Sequence, residues 1–168
     1  NSLKYQLEVG IVQRKSGNTR KADRTFKKIF ENLTGQKSQA INLANTFRRY
    51  DMYGDALRVY ILSEKLNPKS HFGTQKAQLY AHLGKVDLMI VEYLNELKRN
   101  PKQKKMVFAK VQLFLNNDGI KSESNYQLVK KQLLPFVRQE QGRTEFSELL
   151  IWLFMQNAQY AMAFRQAK

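Results

Sequence analysis

The chain contains no cysteine. Disulfide staples, thiol nucleophiles and thiolate metal sites are therefore excluded, and the redox compartment is left open. Helix breakers are scarce too: three prolines and eight glycines interrupt a chain whose hydrophobic fraction, 42%, is that of an ordinary folded protein. No run of eighteen apolar residues occurs, so no segment reads as a bilayer-spanning helix. A basic stretch leading into an apolar run and a small-residue cleavage site does not open the chain, so any export signal is absent or already removed. Acidic residues are outnumbered, 14 Asp and Glu against 29 Lys and Arg, for a formal net charge of +15. Such a field favours polyanions or acidic partners. It is spread along the chain without a block of like charges, so a merely basic, solvated surface fits it equally well.

Catalytic groupings are missing as well. The two histidines, His71 and His82, have neither a carboxylate nor a second histidine at metal-ligand spacing. "GDALRVY" lacks the lysine and the following Ser or Thr of a phosphate-binding loop. The scattered acids offer no acid/base pair for hydrolysis. The sequence therefore predicts no enzyme, no metal site and no cofactor.

What is present is a period. Take Asp51 as origin: Ala44 lies seven residues before it, Ala56 five after, Tyr60 nine after and Pro68 seventeen after. From Gly17, 34 residues upstream, the same offsets give Gly10, Ala22, Phe26 and Thr34. From Gly84, 33 residues downstream, they give Ala77, Met89, Tyr93 and Pro101. Each copy reads as two helices joined at the origin residue. Glycine at two of the three origins suits a left-handed helix end, and the prolines prevent continuation of the second helix. A small residue on the first helix lets the second approach closely, and an aromatic from the second fills the space beside it. One pair cannot bury both of its faces, so neighbouring pairs must stack.

The 34-residue helix–turn–helix pattern resembles the tetratricopeptide repeat. The middle copy, "AINLANTFRRYDMYGDALRVYILSEKLNPKS", carries the likeness best, with Leu43, Ala44, Phe47, Tyr53, Ala56, Tyr60 and Pro68 in the expected places. It departs at Ala40, where the family often has Trp; Thr34 replaces proline in the first copy, and Met89 replaces alanine in the third. The resemblance implies an all-α fold, a right-handed superhelix (solenoid) of antiparallel helix pairs. The expected division is repeats at 3–36, 37–69 and 70–103, a degenerate helix pair at 104–142, and a truncated repeat at 143–168. In the degenerate pair, "KMVFAKVQLFLNN" reads as a helix, "DGIKSES" as a loop, and "NYQLVKKQLLPFVRQEQ" as a helix that Pro135 should kink or stop. Ala158, Ala163 and Ala167 restore the offsets, 74 residues beyond Gly84. Both ends fall at or inside a repeat, so a piece of a longer solenoid is expected. "ELLIWLFMQNAQYAMAFRQAK" is further similar to large tetratricopeptide proteins of Bacteroidetes, which implies an envelope-associated place while leaving a cytoplasmic one open.

Aromatics interleaved with basic residues invite a nucleic-acid reading. Phe26, Phe47, Tyr60, Tyr80 and Tyr93 fall, however, where repeats pack on each other, so most of them are assigned to the core, and Trp152, in an apolar helix, is expected to be packed and not presented. In the family, first helices line the concave side. On that geometry the groove-facing places are Leu7, Ile11, Arg14 and Lys15, then Ile41, Asn45, Arg48 and Arg49, then Thr74, Gln78 and His82. The polar members, Arg14, Lys15, Asn45, Arg48, Arg49, Gln78 and His82, are the expected partner-binding residues. Arg forks suit carboxylates and Asn amides suit a peptide backbone, though cations near a turn are as readily just solvated. Of the family's two-carboxylate clamp only Asn45 is matched, which argues against a chaperone-tail receptor. The resemblance thus implies a non-enzymatic scaffold that binds an acidic peptide or helix of a protein partner. The alternative is a basic helical-repeat RNA binder.

Overall fold

The computed structural model describes residues 3–116, 123–140 and 142–167. Those residues form helices, turns and loops, with no strand among them. The chain divides into two compact units, Asn1–Gly84 and Lys85–Lys168.

The first unit holds α1 (Leu3–Lys15), α2 (Thr19–Glu31), α3 (Lys37–Arg49), α4 (Tyr53–Leu66) and α5 (Gly73–His82). α1 packs on α2 and α3 packs on α4; α1 also meets α3, and α4 meets α5. The short turns make each of the first two pairs antiparallel. Gly10, Ala22, Ala40, Ala44, Ala56 and Ala77 are all buried. The reason is plainest at Gly10, where a Cβ would stand 2.5 Å from Phe26 Cε1. Phe26 meets the Phe47 ring edge-on at 5.5 Å, and Phe30 stacks on Phe47 at 5.9 Å. The small residues thus admit the rings that join one helix pair to the next, and rings in this arrangement add to the burial energy itself.

The expected breaks lie where the period puts them. Gly17, Asp51, Gly84 and Ala158 all have positive φ, at 82°, 56°, 68° and 55°. Their amides donate to the carbonyls three residues earlier, Arg14, Arg48, Ala81 and Met155. In three of the four turns the next amide donates five residues back: Asn18 to Gln13, Met52 to Phe47 and Gln159 to Phe154. This paired bonding satisfies the last carbonyls of a helix and defines the Schellman turn.

The loops repeat as well. Gly35, with φ 73°, offers its carbonyl to Ser70 Oγ at 3.2 Å and Asn67 Nδ2 at 3.4 Å. The loop after α2 is thereby fastened to the loop after α4, about one period on. Glu64 of α4 accepts from the Phe72 amide at 2.8 Å and from Lys76 Nζ at 2.7 Å, fixing the entry of α5.

The second unit holds α6 (Val86–Arg99), a 3-10 turn (Pro101–Gln103), α7 (Lys104–Leu115), α8 (Glu123–Gln139), α9 (Thr144–Gln156) and α10 (Tyr160–Ala167). α8 packs on α6, α7 and α9, and α9 on α10. Of the two effects expected of Pro135, a kink or a stop, the stop is corrected: the helix continues to Gln139. The missing Pro135 amide leaves one carbonyl of the ladder without its donor, but packing on both sides of it holds the helix. Leu133 is fully buried, and Phe136 lies 5.4 Å from the Phe146 ring of α9. Of the "DGIKSES" loop, residues 118–122 lie outside the described residues, and Glu123 and Ser124 belong to α8. Ala163 is buried as its offset requires, whereas Ala167 is exposed.

Candidate functional site

The first-helix faces do not form one continuous row of the expected side chains. Leu7 and Ile11 are 0% and 3% exposed and belong to the core; assigning them to a groove is corrected. They sit on the face of α1 that packs in the core, where burying an aliphatic side chain stabilises by roughly 1.5–3 kcal/mol. Ile41 and Thr74 are half-buried.

Arg14 is engaged within the chain. Its guanidinium reaches Asp23 at 2.9 Å and Asp55 at 3.3 Å, and its Cζ lies 4.7 Å over the Phe26 ring. One side chain of α1 thereby ties α2 to α4. Burial holds the Asp55 carboxyl above its ordinary range, against the opposing pull of Arg14. Lys15, close by, places its ammonium 4.8 Å over the Tyr50 ring.

Asn45 and Arg49 come together. With Asn42, Thr46 and Lys4 they line an open recess on α1 and α3. Residues 42, 45, 46 and 49 share one face of α3 because that spacing returns to the same side every turn. Thr46 is buried and anchors the face: its hydroxyl donates to the Asn42 carbonyl at 2.9 Å and accepts from Arg49 Nη2 at 3.4 Å. The recess therefore presents an ammonium, a guanidinium and two primary amides, with no carboxylate in its lining. That set can hold a carboxylate by charge and a peptide backbone by its amides.

Arg48 is exposed and is not among the residues lining the recess. It acts on Tyr53 and Tyr60 of α4, opposing the rise of both phenols. For Tyr53 that rise comes first from its hydrogen bond to Asp51, 2.7 Å long; for Tyr60 it comes from burial. His82 stacks flat on Tyr53, with ring centroids 4.4 Å apart and planes 2° from parallel. Gln78 is exposed one turn earlier on α5. The seven expected residues are thus distributed: Asn45 and Arg49 in the recess, Arg48 and His82 about Tyr53, Arg14 and Lys15 on partners of their own, and Gln78 open to solvent.

Lys4, Asn42 and Thr46 were not among the expected residues. The polar spacing 42, 45, 46 and 49 on one helix face was the available signal for two of them; nothing in the sequence places Lys4 beside them. Among the described residues no group of three His, Asp or Glu side chains could hold a metal ion, and no helix is long and apolar enough to cross a membrane. No protein-family model matches the chain, and comparison with the curated proteins gives no match either.

Proposed function

We propose that this chain is a non-enzymatic, tetratricopeptide-like interaction scaffold, its helix pairs winding as a right-handed solenoid, and that the recess on α1 and α3 takes a carboxylate-bearing segment of a protein partner. The repeat reading draws support from the left-handed residue and the bond three residues back that recur at Gly17, Asp51, Gly84 and Ala158. The observation that carries the binding reading is the recess itself, where Lys4 and Arg49 stand beside Asn42 and Asn45 with no carboxylate in the lining. Arg49 is partly pre-oriented by Thr46, which lowers the ordering cost of making a forked contact.

A charge-assisted Arg–carboxylate contact that excludes water contributes on the order of 1.5–3 kcal/mol, and an exposed one roughly 0–1. The test is fluorescence titration of a labelled, Glu-rich peptide with a free C-terminal carboxylate. Arg49→Glu should weaken binding at least tenfold with the helical signal unchanged, whereas the double variant Lys27→Glu/Lys28→Glu on α2 should leave it within about threefold. Equal weakening by both would refute the recess and leave only the general positive field.

A further inference from the structure

The sharpest separation of polar from apolar residues in the first unit lies on α2, away from the recess. Ala22, Phe26, Ile29 and Phe30 are buried along one side. Arg20, Lys21, Arg24, Lys27 and Lys28 are all exposed. At 100° per residue these five cations fall within an arc of about 120°, opposite the buried side, and from Arg20 to Lys28 the row runs roughly 12 Å. The acids nearby do not neutralise it. Asp23 is held by Arg14, and Glu31, which lies within the same arc, pairs with Lys27 at 3.8 Å in the open and leaves four cations of the row without an acid. Arg20, Lys21, Arg24 and Lys28 form no ion pair among the described residues.

Three kinds of anionic partner could meet such a row, and the surface discriminates between them. A protein interface needs a desolvated apolar centre with anchoring rings, but Phe26 and Phe30 point into the core. A bilayer needs a band of apolar side chains to insert, and the exposed face of α2 supplies none, with only Tyr5 and the half-buried Val9 of α1 beside Lys28, so cations alone would make a weak anchor. A phosphodiester backbone needs neither: it is a linear array of charges contacted through Arg and Lys, with affinity coming from counterion release. On α2 itself every ring is buried, and the exposed ring that shares a recess with the row, Tyr5 of α1 beside Lys28, offers a stacking face that does not distinguish one base from another.

We propose that the outward face of α2 binds the phosphate backbone of a nucleic acid without reading its sequence. This surface is separate from the recess and from the peptide reading.

The experiment is fluorescence anisotropy with two 20-base-pair duplexes of unrelated sequence, over a series of salt concentrations. The two affinities should agree within about twofold, and the log–log salt slope should be about −4, near −0.9 for each of four or five phosphates contacted. Arg24→Glu/Lys28→Glu should weaken binding at least tenfold and flatten the slope by about 2. Arg48→Glu/Arg49→Glu, an equal change of charge on α3, should leave the slope within about 0.5 of the original. Circular dichroism melts establish that each variant is folded, and retained binding of the Glu-rich peptide by the α2 variant separates this proposal from the recess. Equal loss in both double variants would overturn the proposal, as would strong discrimination between the two duplexes. Capture of phosphatidylserine vesicles that depends on Arg24 and Lys28, with no duplex binding, would overturn it in favour of a membrane surface.

Discussion

The pairs α1–α2 and α3–α4 bury glycine and alanine among their large side chains; the pair α7–α8 buries none. In the first two pairs Gly10, Ala22, Ala40, Ala44 and Ala56 are buried. In α7 and α8 the buried residues are Val107, Val111, Leu115, Tyr126, Val129 and Leu133, and the alanine in α7, Ala109, is exposed. Both kinds of pair pack, so close approach is not required for two helices to associate. What a small residue adds is register. A Cβ at Gly10 would overlap Phe26, so the ring and the gap can meet in only one alignment. Branched side chains of similar size interdigitate in several alignments, and they leave no fixed mark in the sequence.

That difference should be largest where a small buried residue is enlarged. Ala56→Phe is expected to cost more than about 2 kcal/mol, within the roughly 1–3 kcal/mol range of overpacking or beyond it. Ala109→Phe should stay within about 0.5 kcal/mol, as surface changes do. Urea denaturation of the two variants decides the comparison, and a similar loss in both would end it.

Gly10→Ala sharpens the same point with one methyl group. Alanine should help the helix by about 1 kcal/mol over glycine, yet the 2.5 Å approach to the Phe26 ring must be relieved. The expected net result is a loss of about 1–2 kcal/mol, since added bulk in a packed core costs about 1–3. Paired with Phe26→Leu, it should show a coupling above about 0.5 kcal/mol. Additive effects would mean that the ring does not occupy the space left by the missing side chain.

The period made the turns legible because small residues and helix ends recur at fixed offsets from Gly17, Asp51, Gly84 and Ala158. It made α7 and α8 legible as helices but gave no register for them, which follows from their lack of buried small residues. Pro135 argues locally for a kink or an end, and the end does not occur because Leu133 and Phe136 on either side of it are held by packing. The site was legible only in part. Helix spacing marks Asn45 and Arg49, but the engagement of Arg14 depends on Asp55, 41 residues away, and the recess depends on Lys4, one helix pair earlier. Such partners are set by tertiary packing, which a reading of local patterns does not reach.

The central claim is that a left-handed helix end recurs at four positions of the period, and an exchange of residues tests it most directly. A Cβ at Gly17 or Gly84 would meet no atom within 4 Å, so substitution there probes the backbone alone. Asp51 and Ala158 occupy the same left-handed region at φ 56° and 55°. Gly17→Ala and Gly84→Ala should each destabilise by about 1 kcal/mol and Ala158→Gly should stabilise by roughly 0.5–1, because glycine enters this region without strain. Asp51→Gly should gain less, because aspartate tolerates the region and the exchange removes the hydrogen bond from Tyr53. Measured by chemical denaturation, the account predicts opposite signs for the two sets. Losses in all four variants, or no change in any, would contradict it.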